Sequence, residues 1–252
     1  MATKTNKSKS DKIKSCPSIL CPKGKHSVRT HSERIPPSKK HSQGHNIIRH
    51  EHCARNPSHK VVLTFDEIRA ISEKNFANLS GSPAFATGLL AKFDNADKYD
   101  VLIRGWVRYW NEIFQPKDPL DPNLVKALMA TESSFNEKAI YDGYKLKKKH
   151  AYGLLQVTAE TARILKDHRG ELSNYLIDVK VSDLYDPSIN ICCGVRWLFR
   201  KRVIASSKFG KEASWKDTII DYKGYREDVN NGMEPDALKK MRKYYDQLCG
   251  KK

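Results

Sequence analysis

The feature that most constrains the fold of this chain is a series of helix-start signals spread through residues 61–252. Thr64-Phe65-Asp66-Glu67 has the S/T-x-x-E form of a capping box, in which two side chains satisfy backbone N–H groups at a helix start. Pro122, Pro187 and Pro235 stand where proline is favoured, at the first turn of a helix. These signals and the apolar residues between them predict helices at roughly 64–76, 83–93, 99–115, 122–132, 158–165, 187–203, 215–222 and 235–248.

Strand patterns in the same region are few and short, so we predict a mainly α architecture with a small β element inside residues 140–156. Three prolines between 116 and 122 mark a boundary. The chain therefore divides into a basic, Cys/His-rich N-terminal arm (1–60), a helical accessory segment (61–115) and a C-terminal domain (116–252). The arm shows no sustained hydrophobic period and is predicted to be largely irregular.

Positive charge is concentrated in the N-terminal arm. Residues 1–60 hold ten Lys and four Arg against three acidic residues, so they carry +11 of the formal net charge of +17. Such a block attracts nucleic acid, an acidic membrane surface or an anionic cell wall, or is simply a solvated basic arm. The arm contains no Phe, Tyr or Trp, so it cannot stack on bases, which argues against nucleic acid as the partner.

The six cysteines are too sparse for a disulfide scaffold in a chain of 252 residues, and reduced thiols are expected. Cys192 and Cys193 lie in an apolar helical pattern and are predicted to be core residues. In the arm, a Cys-x4-Cys pair and a later His-x-His-Cys resemble half-sites of a zinc ribbon, although the spacing is not standard; the alternative is an arm without metal. The candidate ligands are Cys16, Cys21, His50, His52 and Cys53.

Glu132 is the strongest candidate for a catalytic residue. It ends an apolar helix and precedes Ser133-Ser134-Phe135-Asn136, which predicts a carboxylate at the lip of a cleft beside an aromatic side chain. A partly apolar environment of this kind suits a general acid, although most glutamates at helix ends are plain surface residues. About twenty residues later, Gly153 permits a close backbone approach and the Gln156 amide can donate to and accept from a sugar.

With the segment Asp186-Pro187-Ser188-Ile189-Asn190-Ile191, these residues resemble the catalytic domain of the soluble lytic transglycosylases, whose fold is that of goose-type lysozyme. In that family E-S-x-F carries the catalytic Glu, G-L-M-Q lines the cleft, D-P-x-x-N-I opens a core helix, and Y-N-A-G supplies a Tyr near the carboxylate. The first three match residues 132–136, 153–156 and 186–191, within 120–225. The fourth departs, because Tyr222 is followed by Lys223 instead of Asn.

The resemblance implies a lysozyme-like fold, peptidoglycan as the substrate and Glu132 as the catalytic acid/base, with no cofactor. In the family a single Glu protonates the MurNAc–GlcNAc oxygen, the N-acetyl group assists, and the Glu then deprotonates the 6-hydroxyl, which leaves a 1,6-anhydroMurNAc end. If Asp142 or Asp221 supplies a second carboxylate, the reaction is hydrolytic and lysozyme-like. The implied substrate-binding residues are Ser133, Phe135, Tyr152, Leu155, Gln156 and Tyr222.

The distribution of apolar residues also bears on where the protein acts. No stretch approaches about 18 consecutive apolar residues, and the N-terminus lacks the apolar core of a secretory signal. We expect synthesis in the cytoplasm without a signal peptide and action on the cell wall, in the periplasm of a target cell, after non-classical export. This favours an antibacterial effector of the type VI secretion kind, loaded through its arm and neutralised by an immunity protein. The alternatives are a phage endolysin and a wall-binding or nucleic-acid-binding protein with an inactive domain.

Overall fold

A computed structural model of the chain describes residues 25–28, 31–37, 43–50, 52–55, 61–76, 88–143, 145 and 149–250. Helices dominate this part of the chain, as the sequence predicted. The helices are α1 (Phe65–Asn75), α2 (Asp100–Phe114), α3 (Pro122–Glu132), α4 (Ala159–Leu165), α5 (Pro187–Phe209), α6 (Trp215–Lys223), α7 (Arg226–Asn230) and α8 (Asp236–Leu248), with a 3-10 turn at Val181–Tyr185.

The strands form four small sheets among the described residues. They are β1 (Lys25–Val28), β2 (His31–Ile35), β3 (His45–Arg49), β4 (His52–Arg55), β5 (Val61–Thr64), β6 (Ile140–Tyr141), β7 (Ala151–Tyr152), β8 (Val157–Thr158) and β9 (Tyr175–Asp178). β1 pairs with β4 and β2 with β3, both antiparallel, and β5 pairs with β9 in parallel. β6, β7 and β8 form the three-stranded antiparallel element predicted near 140–156.

Local capping chemistry sets the start of α1. Glu67 N donates to Thr64 Oγ1 at 3.4 Å, and Thr64 N donates to Glu67 Oε2 at 3.1 Å, so both halves of the predicted capping box are present. The helix predicted at 83–93 is wrong over 88–93, where the chain forms turns. Gly88 is left-handed (φ 80°) there and donates its N–H to Asp97 Oδ2 at 2.9 Å, which is incompatible with a continuing helix.

The two helices that carry the motif segments begin with the same Asp-Pro pair. Asp121 Oδ1 accepts from Asn123 N at 2.9 Å at the start of α3. Asp186 Oδ1 accepts from Ser188 N at 2.9 Å at the start of α5. α5 continues past the predicted end near residue 203 and ends before Gly210, which is left-handed.

The core surrounds α5, which contacts α1, α2, α4 and α6. Trp106 and Trp110 of α2 are fully buried, and their indole N–H groups donate to Ser188 Oγ at 3.0 Å and to Cys192 O at 3.2 Å. Burial raises the pKa of the Cys192 and Cys193 thiols, which are free and fully buried core groups, as predicted. One core therefore includes residues on both sides of the predicted boundary at 115/116.

The described part of the N-terminal arm is more regular than its sequence predicted, because it forms β1 to β4. These strands have only four or five residues, too few to produce a sustained hydrophobic period, and pairing of the backbone holds them. β1 also contacts β5 and α1. At least one edge of the arm is therefore packed against the helical part of the molecule.

The prediction of reduced thiols is wrong for Cys53 of the arm, because this cysteine is disulfide-bonded. A disulfide sulfur is not the thiolate that zinc requires. Cys16 and Cys21, the other predicted cysteine ligands, lie outside the described residues. Within the described ranges, no group of three or more His, Cys, Asp or Glu is arranged to hold a metal ion. No helix in those ranges is long and apolar enough to cross a membrane.

Candidate active site

Glu132 is the last residue of α3, and the chain turns sharply directly after it. Ser134 (φ 52°) and Phe135 (φ 62°) are both left-handed, a conformation that costs about 1–3 kcal/mol at a non-glycine residue. The Phe135 ring is only 1% exposed and packs edge to face against Phe93 with centroids 5.3 Å apart. This anchored turn fixes the end of α3, and 16% of the Glu132 side chain stays exposed.

Lys223, the last residue of α6, is the ionic partner of Glu132. Its Nζ donates to Glu132 Oε1 at 2.5 Å and to Thr131 Oγ1 at 3.3 Å. Only 5% of the Lys223 side chain is exposed, so the ion pair is largely shielded from water. Gly224 ends α6 in a left-handed conformation (φ 76°). Sequence reasoning missed this role, although Lys223 stands where the resembled family has Asn.

The loop Tyr152–Gln156 rests on the side chain of Asn190 in α5. Asn190 is fully buried; its Oδ1 accepts from Leu155 N, and its Nδ2 donates to Tyr152 O and Leu184 O, each at 2.8 Å. A Cβ at Gly153 (φ 71°) would lie 2.4 Å from Asn190 Nδ2, so only glycine fits there. The Asn of the D-P-x-x-N-I segment therefore replaces the backbone partners that the loop lacks.

Two hydroxyl groups tie the same loop to the residues beside the ion pair. Ser133, next to Glu132, donates from Oγ to Leu154 O at 2.8 Å. Tyr222, next to Lys223, donates from its hydroxyl to Leu155 O at 2.6 Å. Burial raises the pKa of the Tyr222 phenol well above its ordinary value, and the charge of Glu132 adds to the shift. Both hydroxyls thus hold the ends of α3 and α6 against one loop.

The other predicted contact residues differ in accessibility. Leu155 is fully buried, and its Cδ1 lies 2.5 Å from where a Cβ on Gly194 would be. Its side chain, like that of Phe135, packs in the core and is not accessible to a ligand. Gln156 is partly exposed and left-handed (φ 48°), and its Nε2 donates to Gly153 O at 2.8 Å. Tyr152 is partly exposed, with its ring 5.9 Å from that of Tyr185.

Neither alternative carboxylate contacts Glu132. Asp221 is 7% exposed and accepts from Arg226 Nη2 at 2.9 Å and Nε at 3.2 Å, so its charge is already paired. Asp142 is exposed in the loop after β6. Among the residues that the structure describes, the only charged group in contact with Glu132 is the Lys223 ammonium.

Comparison with known proteins gives one family match, to the segment that holds part of this site. Residues 109–209 match the family model named Transglycosylase SLT domain. The match includes Glu132, the loop Tyr152–Gln156 and Asn190, whereas Tyr222 and Lys223 lie beyond its end. No curated protein matches the chain. The matched segment thus contains Glu132 at the end of a buried helix and the loop that rests on Asn190. Residues 109–209 form a transglycosylase SLT domain with a lysozyme-like fold.

Proposed function

We propose that this protein is a lytic transglycosylase that cleaves the MurNAc–GlcNAc β-1,4 bond of peptidoglycan and leaves a 1,6-anhydroMurNAc end. The SLT domain supports glycan cleavage and makes peptidoglycan the substrate class. The observation that carries the finer proposal is the charge pairing around Glu132: its one charged contact within the described residues is a lysine, and the buried Asp221 is already paired with Arg226. Two-carboxylate glycosidases need a second acid about 5–9.5 Å from the first that is free to act on water or the sugar.

A single carboxylate suffices if the substrate supplies the nucleophiles. Neutral Glu132 donates its proton to the glycosidic oxygen, the bond between that oxygen and the anomeric carbon breaks, and the GlcNAc residue leaves with a free 4-hydroxyl. The acetamido oxygen of the substrate bonds to the anomeric carbon in its place. Ionised Glu132 then takes the proton of the 6-hydroxyl, whose oxygen bonds to the same carbon and releases the acetamido group. Glu132 ends as it began, and no water is consumed.

Lys223 Nζ occupies Glu132 Oε1, the carboxylate oxygen that it contacts at 2.5 Å. The first step needs that carboxyl group as a proton donor to the glycan, so the ion pair has to open when the glycan binds. We place Tyr152, Gln156 and Ser133 at the glycan: the first two through partly exposed side chains and Ser133 through the lone pairs of its hydroxyl.

Mass analysis of released muropeptides tests the reaction. The purified full chain is incubated with purified peptidoglycan beside Glu132→Gln and a matched control, Glu112→Gln, which changes an exposed glutamate of α2. We expect products one water molecule lighter than lysozyme products from the wild type and the control, and none from Glu132→Gln. Reducing ends would indicate a muramidase. Equal, negligible release by the wild type and Glu132→Gln, with retained binding to the wall, would indicate a binding protein.

We also propose that the chain acts outside the cytoplasm as a delivered antibacterial effector, with its basic arm as the loading element. The disulfide at Cys53 supports an oxidising place of action, since disulfides are rare in cytosolic proteins. The test is expression in a bacterial host with and without an added secretion signal. Lysis that depends on the signal and on Glu132 is expected, whereas equal lysis without the signal would contradict the proposal.

A neighbouring gene distinguishes the effector from an endolysin. An effector requires an immunity protein in its producer, so a small secreted protein encoded beside it should abolish the lysis. A neighbour that permeabilises the membrane and is needed for lysis without an added signal would instead favour the endolysin.

A further inference from the structure

A second pocket lies on the side of α5 that faces the end of α2, and it takes no part in the proposed reaction. We call it the arginine pocket; its defining residues are Phe114, Tyr175, Arg196, Phe199, Arg200 and Arg202. Its volume is about 630 Å³, within the range of small-molecule sites. Neither Glu132 nor Lys223 lines it.

Arg196 is the unusual residue of this pocket. It is 5% exposed, and its guanidinium lies 4.8 Å from the ring centroid of Phe114 and 5.6 Å from that of Trp110. Its buried Nε has no hydrogen-bond partner, and no ion pair to it is found in the part of the chain that the structure describes. Burial lowers the pKa of Arg196 to about 10, and Arg200 acts in the same direction. At neutral pH it remains a buried cation that packs against aromatic faces, with Glu171 of the same pocket as a more distant favourable charge.

The neighbouring arginines already have carboxylate partners. Arg200 pairs with Glu171, while its own buried Nε lacks an acceptor within the described ranges. Arg202 pairs with Glu212 at 3.3 Å and, outside the pocket wall, with Asp118 at 3.6 Å. The charged residues of the wall are thus three arginines and two glutamates, and the positive charge left over is that of Arg196.

The geometry points to a site for one carboxylate on an apolar or aromatic body. Arg196 and Arg200 are four residues apart on α5, so they lie on one face of the helix and can share one planar anion. Phe114, Tyr175 and Phe199 supply the apolar walls. A single excess charge matches a monoanion, because Glu171 and Glu212 would repel the second charge of a phosphate. The acid is either a small molecule or the carboxyl end of a peptide.

Calorimetric titration of the full chain with defined probes tests this site. The probes are 4-phenylbutyrate for a small acid, N-acetyl-Ala-Phe for a peptide end, the primary amide of each, and inorganic phosphate. We expect one or both carboxylates to bind, with each amide and phosphate at least about tenfold weaker. The tighter carboxylate identifies the source. Phosphate binding more tightly than both acids, or amides equal to their acids, would overturn the assignment.

Substitutions locate the binding. Arg196→Met keeps most of the apolar stem and should weaken carboxylate binding at least about tenfold. Arg196→Lys keeps a charge but loses the planar donor pair, so its affinity should be intermediate. Glu132→Gln should bind like the wild type, which separates the pocket from the catalytic cleft. Circular dichroism checks folding, and Arg200→Met replaces Arg196→Met if the latter is unfolded. No binding of either acid, or equal binding by the wild type and the folded methionine variant, contradicts the proposal.

Discussion

Helix α3 takes part in two contacts between a shielded lysine and a carboxylate, and the two contacts differ in their surroundings. Near its middle, Lys126 is fully buried and its Nζ contacts Asp97 Oδ1 at 2.6 Å and Asp100 Oδ1 at 2.8 Å. At its end, Glu132 contacts Lys223, and 16% of the carboxylate side chain is exposed. The first, which we call the closed contact, ties α3 to the start of α2; its lysine is fully buried, although 36% of the Asp97 side chain is exposed. The second, which we call the open contact, lies where the helix stops and a strained turn begins, which suits a group that must change partners.

Removal of the carboxylate at the open contact should have the largest effect of all, and that effect should be a loss of activity. Glu132→Gln deletes the proton carrier, so we expect release of muropeptides to fall by a factor of about 10²–10⁴. The free energy of unfolding should fall as well, because the largely shielded Lys223 ammonium loses its counter-charge, although the amide oxygen can still accept from it. Residual activity equal to that of Glu112→Gln would remove Glu132 from the mechanism.

Breaking the closed contact should affect stability instead. Lys126→Met leaves Asp97 and Asp100 without their buried counter-charge. We expect a loss of about 3 kcal/mol in the free energy of unfolding measured with urea, the low end for a buried pair, because Asp97 is 36% exposed and partly solvated. Lys239→Met, which breaks an exposed pair with Asp236, is the matched control and should cost at most about 1 kcal/mol. Equal losses in the two variants would show that burial does not distinguish them.

A double-mutant cycle measures the strength of the open contact. Lys223→Met should cost about 2 kcal/mol of unfolding free energy, less than Lys126→Met, because it leaves one carboxylate without a counter-charge instead of two. In Glu132→Gln/Lys223→Met no charge is left unpaired, so the double variant should be more stable than the sum of the single losses predicts, by about 0.5–3 kcal/mol. Strict additivity would mean that the two groups do not interact in solution.

The smallest effects should appear in the acid stability of the closed contact. The hydrogen bond from Lys126 lowers the pKa of Asp97, whereas burial raises that of Asp100. Asp97 therefore stabilises the folded protein at pH values above its unfolded pKa near 3.8. This stabilisation is lost as the pH falls through the lower pKa of Asp97 in the folded protein. Asp100 affects stability in the opposite sense, because its carboxyl group binds a proton more tightly in the folded protein than in the unfolded chain.

Urea midpoints measured across the acid range separate the two aspartates. Asp97→Asn should flatten the rise of stability with pH, and Asp100→Asn should steepen it. Asp94→Asn, at an exposed position of the same turn region, is the control. A steeper curve for Asp97→Asn would reverse the assignment.

The parts of this molecule that sequence predicted are those set by neighbouring residues. The capping box at Thr64 and the Asp-Pro starts of α3 and α5 act over one helical turn, and the helices follow from them. The motif placed Glu132 correctly at the end of α3. The parallel pairing of β5 with β9 was not predictable, since it joins residues more than a hundred positions apart in the chain.

The sequence predicted the position of Glu132 at the end of α3, but not the surroundings of the candidate site. Ser133 and Tyr222 direct their hydroxyl protons to carbonyls of the loop Tyr152–Gln156, and Phe135 and Leu155 are in the core. The pairing of Lys223 with Glu132 depends on how α6 lies against α3, which no local pattern encodes. The left-handed turn after Glu132 could not be predicted from the sequence either, because neither Ser134 nor Phe135 is a residue type that favours the left-handed conformation.

The side chain of Asn190 has a consequence for how the molecule exchanges hydrogen with solvent. It accepts the N–H of Leu155 in a loop that belongs to no helix and lies between the two-residue strands β7 and β8. That amide can reach water only when Asn190 withdraws, and Asn190 is buried inside α5. We therefore expect the amide hydrogen of Leu155 to exchange with solvent as slowly as the amide hydrogens of α5, although Leu155 lies in an irregular segment of the candidate active site.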